Sequence, residues 1–422
     1  MKIARALMRL LIIILAVCGE LSAASYEPFA VYLTWQRDPT TTMTIQWINP
    51  VDVPANEIEF HAAGDIFWTQ AQVHAHSLPG ENHYHIYRLE LTELTPNLDY
   101  FFRIGGSEGK IFNFRTMPAT NEIPIRFVVG GDVYHDGLEK VLQTNRQAAL
   151  KSPWFALLGG DLAYAGDKFG ILPEGWQSWM DKLLAKADIT PAKRQRWFDW
   201  LSTWKQTMVT PEGRLIPLIP ALGNHDVNGG FGKTAEDAQL FHSLFPFPGK
   251  KGFQTLNFGK YLTLIVLDTG HTNPVGGEQT RWLYDKMRAS GDFTHKFALY
   301  HVPAYPSIRK FNNKTSSEVR HFWVPLFEMY GLTAAFEHHD HAYKRTFPIR
   351  SGKIDPQGVL FFGDGGWGVE EPRERSSNDK RWYLANSASK SHFIMVTIKG
   401  KEKHYAAVDS NGVIFDELLS GN

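Results

Sequence analysis

The sequence predicts an antiparallel β-sandwich followed by an α/β layered domain. From about residue 25 to 118, short runs of alternating apolar and polar residues are separated by turn residues, a pattern typical of antiparallel strands. From about residue 122 onward, apolar runs alternate with helical segments, which is typical of α/β layers. The 422 residues are 43% hydrophobic and 21% charged, enough for two or three domains with large cores.

Residues 1–24 predict an export signal. Three basic residues precede the apolar run 10–17, and small residues follow at 22–24, which is typical of a secretory signal peptide. The apolar run is shorter than the about 20 residues that a membrane-spanning helix needs, so no stable membrane span is expected. We therefore expect a secreted or periplasmic protein; lipid attachment at Cys18 is the alternative. Cleavage near Ala24 would remove the single cysteine and leave a chain without disulfides.

Five runs between residues 25 and 118 predict the strands of the sandwich. They are 30–35, 42–47, 85–89, 100–104 and 111–115. Tyr100, preceded by Leu94-Thr95-Pro96, resembles the corner tyrosine of fibronectin type III-like sandwiches. Residues 116–121 are expected to link this domain to the next.

Six apolar runs of the second domain each predict one strand, and each is followed by polar residues of metal-binding types. The runs are 125–129, 154–158, 215–219, 262–267, 297–300 and 332–336. They lead, in order, to Asp132, Asp161, Asn224-His225-Asp226, Asp268, His301 and His338-His339-Asp340-His341. Taken alone, such an Asp is most often a turn residue and such a His is most often a hydrogen-bonded one. Ligands of α/β sheets bind beyond the carboxyl ends of strands, so the repetition favours a site there.

These strand endings resemble the five sequence blocks of the calcineurin-like metallophosphoesterases. The blocks are Gly131-Asp132, Gly160-Asp161-Leu162-Ala163-Tyr164, Gly223-Asn224-His225-Asp226, Tyr300-His301 and His339-Asp340-His341-Ala342-Tyr343. Tyr164 stands where many members carry a carboxylate, which makes the chain similar to the purple acid phosphatase branch. The resemblance implies a four-layer α/β sandwich over 122–420, with two packed mixed β-sheets flanked by helices. It also implies a preceding fibronectin type III-like β-sandwich over 25–118.

The resemblance further implies two metal ions. One would be held by Asp132, Asp161, Tyr164 and His341, and the other by Asp161, Asn224, His301 and His339. Oxygen ligands of the first group favour a hard trivalent ion, so Fe(III) is expected at the Tyr164 site. The second site suits Fe(II), Zn or Mn.

The resemblance implies that Asn224 and His225 bind the phosphate and that His225 protonates the departing alcohol. The competing interpretation is that His225 only holds its loop. Asp226 is expected to orient either His225 or that loop.

Two positions depart from the family pattern. Tyr134 replaces a usual Gly and is expected to crowd or reshape the pocket, while the neighbouring His135 is a hypothetical second catalytic imidazole facing the substrate; a surface loop is the alternative. His338 replaces the Gly that normally precedes the last His-X-His, but the following Ala342-Tyr343 places the ligands at His339 and His341.

The segment between Tyr164 and Asn224 predicts two helices, near 175–186 and 191–208. Trp197, Trp200 and Trp204 have helical spacing and would share one face. Core packing and a lid over the site are the two interpretations.

The implied function is a secreted acid phosphatase that cleaves phosphate monoesters by attack of hydroxide held between two metals. The alternatives are a phosphodiesterase or nucleotide hydrolase with the same centre, or a non-catalytic binding protein on the same scaffold. The 44 Lys and Arg balance 44 Asp and Glu, which argues against a nucleic-acid partner and leaves a small phosphate ester as the expected one. The oligomeric state has no sequence signal.

Overall fold

The computed structural model describes residues 26–166, 190–363, 365–376 and 379–420. The predicted export signal, with Cys18, and the predicted helix near 175–186 lie outside these residues. Within the described ranges, no helix combines the length and apolarity needed to cross a bilayer.

The strands and helices are numbered in chain order. The strands are β1 (Ala30–Thr34), β2 (Met43–Pro50), β3 (Glu57–Ala62), β4 (Thr69–Gln72), β5 (His76–Ser77), β6 (Tyr84–Leu91), β7 (Asp99–Ile104), β8 (Ile111–Arg115), β9 (Ile125–Gly130), β10 (Phe155–Leu158), β11 (Leu218–Pro220), β12 (Gln254–Phe258), β13 (Leu262–Val266), β14 (His295–Leu299), β15 (Ala334–Glu337), β16 (Tyr343–Thr346), β17 (Ile349–Arg350), β18 (Lys353–Ile354), β19 (Leu360–Gly363), β20 (Leu384–Ala388), β21 (His392–Lys399), β22 (Glu402–Asp409) and β23 (Ile414–Ser420). The helices are α1 (Leu138–Ala149), α2 (Thr190–Thr207), α3 (Gln239–Leu244), α4 (Glu278–Ala289), α5 (Lys314–Phe322) and α6 (Val324–Met329).

The N-terminal strands form two four-stranded antiparallel sheets, in the orders β1-β2-β6-β5 and β4-β3-β7-β8. The five predicted strands correspond to β1, β2, β6, β7 and β8. The prediction misses β3, β4 and β5, because these strands are partly exposed and lack a strong apolar alternation. The Tyr100 hydroxyl accepts a hydrogen bond from the Thr95 backbone N–H at 2.9 Å, as expected of a corner tyrosine.

The rest of the chain is built on two mixed sheets, as expected. One has the order β11-β10-β9-β21-β22-β23, and the other has the order β12-β13-β14-β15-β19-β16-β20. The predicted strands are divided between them: β9, β10 and β11 are parallel in the first, and β13, β14 and β15 are parallel in the second. The sheets pack face to face, since the ring of Phe127 on β9 lies 5.7 Å from that of Phe297 and 6.3 Å from that of Phe336.

Helix α2 packs in the core between the sandwich and the first mixed sheet. Trp197, Trp200 and Trp204 are all buried, with successive ring centroids 6.0 Å apart. On the sandwich side, Phe198 stacks on Tyr84 with ring centroids 4.4 Å apart. The core interpretation of the tryptophan face is therefore confirmed. The lid interpretation also involved the segment before this helix, and residues 167–189 lie outside the described residues.

Two buried histidines remote from the strand-end loops predict acid sensitivity. Burial lowers the pKa of His242 and of His295 to about 4, and the two ring nitrogens of His242 accept or donate no hydrogen bond within the described residues. Because the ordinary pKa is 6.5, the unfolded chain binds more protons than the folded chain between pH 6.5 and 4. Stability should therefore fall by about 3 kcal/mol per histidine as the pH drops through this window.

Denaturant unfolding at several pH values checks this expectation. The His242→Phe variant should show a smaller loss of stability between pH 6.5 and 4 than the wild type. The exposed His321 provides the matched control, and His321→Phe should keep the wild-type pH dependence. An unchanged pH dependence in His242→Phe would contradict the assignment.

Candidate metal centre

The loops after five strands converge at one edge of the two packed sheets. Asp132 follows β9, Asp161 follows β10, Asn224 follows β11, His301 follows β14 and His339 follows β15. The first three come from one sheet and the last two come from the other. The edge between the sheets is therefore lined by residues that are up to about 200 positions apart in the chain.

The first group of converging side chains consists of Asp132, Tyr164 and His341. The Tyr164 hydroxyl lies 2.9 Å from Asp132 Oδ1 and 3.1 Å from His341 Nε2. His341 Nε2 lies 2.8 Å from Asp132 Oδ1. Two oxygens and one imidazole nitrogen thus point at a common centre.

The second group consists of Asp161, Asn224, His301 and His339. His301 Nε2 lies 3.2 Å from Asp161 Oδ2, 3.2 Å from Asn224 Oδ1 and 3.1 Å from His339 Nδ1. The ligand atoms of Asp161, His301 and His339 all lie within 4.8 Å of one another. Two imidazole nitrogens that face each other at hydrogen-bond distance are typical of ligands directed at a shared cation.

Asp161 contributes to both groups. Its Oδ1 accepts a hydrogen bond from the His225 backbone N–H at 2.7 Å, whereas its buried Oδ2 accepts no aligned hydrogen bond from any described residue. A buried carboxylate oxygen without such a bond is costly unless a cation neutralises it. The carboxylate also acts on the first group, since its charge contributes to the raised pKa of Tyr164.

The backbone at these loops is strained. Five of the candidate ligands have a left-handed backbone: Asp132 (φ 55°), Asp161 (φ 53°), Tyr164 (φ 51°), His339 (φ 78°) and His341 (φ 57°). This conformation costs of order 1–3 kcal/mol per residue and is concentrated at functional sites. It turns each side chain back toward the sheet edge instead of into solvent, which sequence patterns do not indicate.

Two glycines allow neighbouring backbone to pack closely against the loops that carry Asp161 and Asp132. A Cβ on Gly223 would lie 2.1 Å from the Asp161 backbone nitrogen, and one on Gly365 would lie 1.7 Å from Asp132 Oδ2. Any larger residue at either position would displace a candidate ligand.

The charges of the two groups are coupled. Burial opposes ionisation of His301, yet Asp161 and Asp132 raise the pKa of its imidazole to about 9. Burial also opposes ionisation of Asp132, but the charges of His341 and His301 hold its pKa below the ordinary value. Burial, together with Asp132 and Asp161, raises the pKa of the Tyr164 phenol well above its ordinary value. Ionised Tyr164 therefore needs a compensating cation.

The donor set fits two metal ions. Carboxylate and phenol oxygens dominate the first group and suit a hard ion, whereas two imidazoles, an amide oxygen and a carboxylate in the second suit a divalent transition metal. The Asp161 oxygen that accepts no aligned hydrogen bond and the facing imidazoles are the features that a cation would satisfy.

His225 lies against the first group. Its ring stacks on Tyr164 at 4.7 Å between centroids, and burial lowers its pKa despite the nearby Asp161 charge. The Asp226 carboxylate accepts hydrogen bonds from the backbone N–H groups of Leu162 and Gly223, at 2.9 and 3.0 Å. Asp226 therefore holds its loop, which decides between the two roles left open by the sequence.

Tyr134 and His338, which depart from the family pattern, and the neighbouring His135 lie in three different surroundings. The His135 ring lies 4.5 Å from that of His341 and 5.0 Å from that of Tyr164, beside the first group. Tyr134 instead packs under the Arg196 guanidinium, 3.7 Å from ring centroid to Cζ, so its expected crowding of the pocket is replaced by packing on α2. His338 is fully buried over Gly131 and Gly159, where a Cβ would meet its ring at 2.8 and 1.6 Å. Its backbone N–H donates to the His301 carbonyl at 2.8 Å, whereas its ring nitrogens make no hydrogen bond to a described residue.

Arg196 on α2 is a residue that sequence reasoning missed. Its Nε donates to the Ala163 carbonyl at 2.7 Å, and its Nη2 donates to the Tyr134 carbonyl. These carbonyls belong to the loops that carry Asp132 and Tyr164, so one guanidinium ties both loops together. No local motif predicts this, because the two partners are 33 and 62 positions away.

Replacing Arg196 by Lys should weaken metal retention by about tenfold or more, as changes behind metal ligands commonly do. A single ammonium group cannot reach two carbonyls with the geometry of a guanidinium. Competition with a chelator measures the affinity, and Arg194→Lys on the same helix is the control. Equal metal retention in Arg196→Lys and the wild type would contradict this role.

Known proteins resemble this chain in sequence and in structure. Residues 28–116 match the family model of the purple acid phosphatase N-terminal domain. Purple acid phosphatase 18 of Arabidopsis thaliana is 25% identical over 301 residues, which cover 69% of this chain and 61% of the relative. The structure of purple acid phosphatase PPD1 from yellow lupin seeds superposes with a TM-score of 0.71 at 16% identity, covering 92% of this chain and 73% of the lupin chain. The chain is thus similar to purple acid phosphatases in its N-terminal domain, in its sequence and in its fold.

A bacterial protein is similar to this chain to the same degree. An uncharacterized protein of Mycobacterium tuberculosis is 26% identical over 291 residues, covering 64% of this chain and 51% of the relative. The chain thus spans about half to three fifths of the length of the curated relatives it matches here. The lupin structure shows the shared fold, in which the N-terminal β-sandwich precedes the two mixed sheets.

Proposed function

We propose that this chain is a metal-dependent phosphoesterase, and specifically an acid phosphatase that hydrolyses phosphate monoesters. One observation supports the proposal: seven side chains from two sheets gather in two groups, and the charge of Asp161 in the second group acts on Tyr164 in the first. The proposed ligands are Asp132, Asp161, Tyr164, Asn224, His301, His339 and His341.

Two metal ions, when bound, would supply Lewis acidity to the phosphate and lower the pKa of a water. Around them, the protein's residues orient the substrate. Asn224 and His225 lie on one short 3-10 turn (Asn224–Asp226), which Asp226 holds against the Asp161 loop. His225 would then bind a phosphate oxygen and donate a proton to the departing alcohol. His135, whose ring lies beside those of Tyr164 and His341, would be a second imidazole facing the substrate.

The proposed metals are Fe(III) at the Tyr164 group and Fe(II), Zn or Mn at the other. Elemental analysis of the purified protein should find two ions per chain, and an Fe(III)–Tyr164 bond should give a visible absorption band. A colourless protein that contains only Zn or Mn would refute the iron assignment but leave the two-ion centre.

Turnover of three substrates tests the reaction class. We expect hydrolysis of an aryl phosphate monoester to exceed that of an aryl diester and of a nucleotide. Preference for the diester or the nucleotide would replace the phosphatase by a phosphodiesterase or nucleotide hydrolase. Absence of metal and of turnover after metal reconstitution would support a non-catalytic binding protein.

His225→Asn should lower kcat by about 10²–10⁴-fold for alkyl phosphates, whose leaving group needs a proton, and by much less for nitrophenyl phosphate. The matched control is His321→Asn on the exposed face of α5, which should keep wild-type kcat. Equal losses for both leaving groups would contradict proton donation and indicate that His225 only binds the phosphate or holds its loop.

We also propose the domain limits and location expected from the sequence. Residues 25–118 would be a fibronectin type III-like sandwich and 122–420 the catalytic domain, which the two antiparallel N-terminal sheets and the Tyr100 corner support. Export by residues 1–24 stays a prediction, and N-terminal sequencing of the mature protein tests it.

A further inference from the structure

A second cavity lies directly beside the proposed metal centre. It has a volume of about 240 Å³, and its lining includes Ala342 and Tyr343, which follow the proposed ligand His341 in the chain. Arg373 lines the same cavity, and its backbone N–H donates to the His341 carbonyl at 2.8 Å. The loop that carries His341 therefore borders both the first ligand group and the cavity.

Arg373 is a half-buried cation that forms no ion pair with any described residue, although the charges of Asp132 and Asp340 act on it. Among the residues that the structure describes, its guanidinium makes no hydrogen bond and no ion pair, although its backbone is held. Burial and the neighbouring charge of Arg309 lower the pKa of Arg373, whereas Asp132 and Tyr164 on the metal side act on it in the opposite sense. The guanidinium therefore lies within electrostatic reach of both the cavity and the ligand group.

The other arginines near the cavity already have hydrogen-bonding partners. Arg309 pairs with Asp340 at 3.1 Å, and Arg375 donates to the Asp379 carbonyl and to Ser387. Glu374, the acid that lines the cavity in the described part of the chain, has an exposed side chain. An anion entering the cavity would therefore meet the Arg373 guanidinium, which makes no hydrogen bond to a described residue, with the hydrogen-bonded Arg375 and serine hydroxyls around it.

We propose that Arg373 binds a second phosphoryl group of the substrate, so that the preferred substrates are compact bisphosphates. The inference rests on the proposed function, in which the metal centre holds the phosphoryl group to be cleaved. The second group then belongs to the leaving-group part of the substrate and extends past His341 into the cavity.

The chemistry of the cavity favours this ligand over others. A guanidinium binds phosphate through two parallel charge-assisted hydrogen bonds. A phosphoryl dianion carries more negative charge than a single carboxylate and therefore attracts the Arg373 guanidinium more strongly. A cavity of about 240 Å³ is smaller than the about 300–1,000 Å³ typical of drug-sized ligands, so it suits a compact polar group.

Matched substrates test the inference. For the wild type, kcat/KM for propane-1,3-diyl bisphosphate should exceed that for propyl phosphate by about tenfold or more, the usual worth of a hydrogen bond to a charged group. Arg373→Gln should reduce this ratio to near one, and Arg373→Lys should give an intermediate ratio. Arg281→Gln, a charge removal on the exposed face of α4, should keep the wild-type ratio.

A binding measurement separates this inference from the proposed function. Calorimetric titration with propane-1,3-diyl bisphosphonate and with propylphosphonate needs no turnover. The wild type should bind the bisphosphonate about tenfold or more tightly than the propylphosphonate, and Arg373→Gln should lose this preference. Thermal unfolding checks that the variants are folded, which we expect because the backbone hydrogen bond to His341 does not involve the replaced side chain.

The outcomes are distinct. Equal ratios in the wild type and in Arg373→Gln would overturn the inference, even where propyl phosphate is hydrolysed. Hydrolysis of no phosphate ester would refute the proposed function, and calorimetry would still decide the Arg373 site. A third substrate, 3-(phosphonooxy)propanoate, carries a carboxylate in place of the second phosphoryl group. If its kcat/KM exceeds that of propyl phosphate by as much as the kcat/KM of the bisphosphate does, the site binds any anion and the phosphoryl assignment is wrong.

Discussion

Replacing Asp161 by Asn is expected to abolish turnover, with a loss in kcat/KM of at least about a thousandfold. The substitution keeps the size of the side chain and an oxygen that can accept the His225 N–H bond. It removes the negative charge that both ligand groups share. The effect should therefore exceed that of replacing any ligand that belongs to a single group.

Metal content is the decisive measurement for Asp161→Asn. We expect fewer than two ions per chain after purification, because an amide neither bridges two cations nor neutralises them as a carboxylate does. Asp285→Asn, on the exposed face of α4, is the matched control and should keep both metal and activity. A variant that keeps two ions and more than a tenth of wild-type activity would contradict the bridging role.

The second large effect is expected at Glu337, the last residue of β15. Both Glu337 and Lys344 are fully buried and form an ion pair. Glu337 Oε1 also accepts hydrogen bonds from the Tyr300 hydroxyl at 2.6 Å and from the Ala304 backbone N–H at 2.7 Å. Glu337→Leu removes the carboxylate from all three donors and should destabilise the fold by about 3–5 kcal/mol.

Denaturant unfolding measures this loss of stability. A second variant separates the contribution of the charge from that of the hydrogen bonds. Glu337→Gln keeps an oxygen for Tyr300 and Ala304 but removes the charge, so it should lose less stability than Glu337→Leu. Glu402→Leu, on the exposed end of β22, should stay within about 0.5 kcal/mol of the wild type. A loss below about 1 kcal/mol for Glu337→Leu would show that the pair is energetically replaceable.

The Glu337 network also positions the site. Tyr300 directly precedes His301, and Glu337 is two residues before His339. The network therefore holds the ends of β14 and β15 in register where each strand supplies a ligand to the second group. Glu337→Leu should accordingly lower metal affinity in the fraction of the protein that stays folded.

Much of the fold was predictable because its signals are local. Apolar runs of strand length indicate β9, β10, β13, β14 and β15, and the polar residues after them indicate the edge at which ligands gather. The weaker strands β3, β4 and β5 were missed, because their residues are partly exposed and owe their pairing to neighbouring strands. The helix α2 was predicted within one residue of its observed limits.

The candidate site, too, was only partly predictable from the sequence. The residue types at the strand ends, with the family resemblance, were sufficient to name the candidate ligands. The resemblance did not indicate Arg196 or Arg373, because their partners are distant in sequence and their roles depend on which loops the packing brings together. Tyr134 shows the same limit: its bulk suggested a crowded pocket, whereas packing directs its ring to Arg196.

The sequence by itself therefore determined the order of the strands, the residue types at their carboxyl ends and the family to which the chain is similar. These features are encoded by local hydrophobic periodicity and by short motifs. Only the tertiary structure decided that the ends of two separate sheets meet, that five candidate ligands adopt a left-handed backbone and that Arg373 lies unpaired beside His341. Each of these depends on the non-local packing of the two sheets, which determines the distances between residues that no sequence spacing relates.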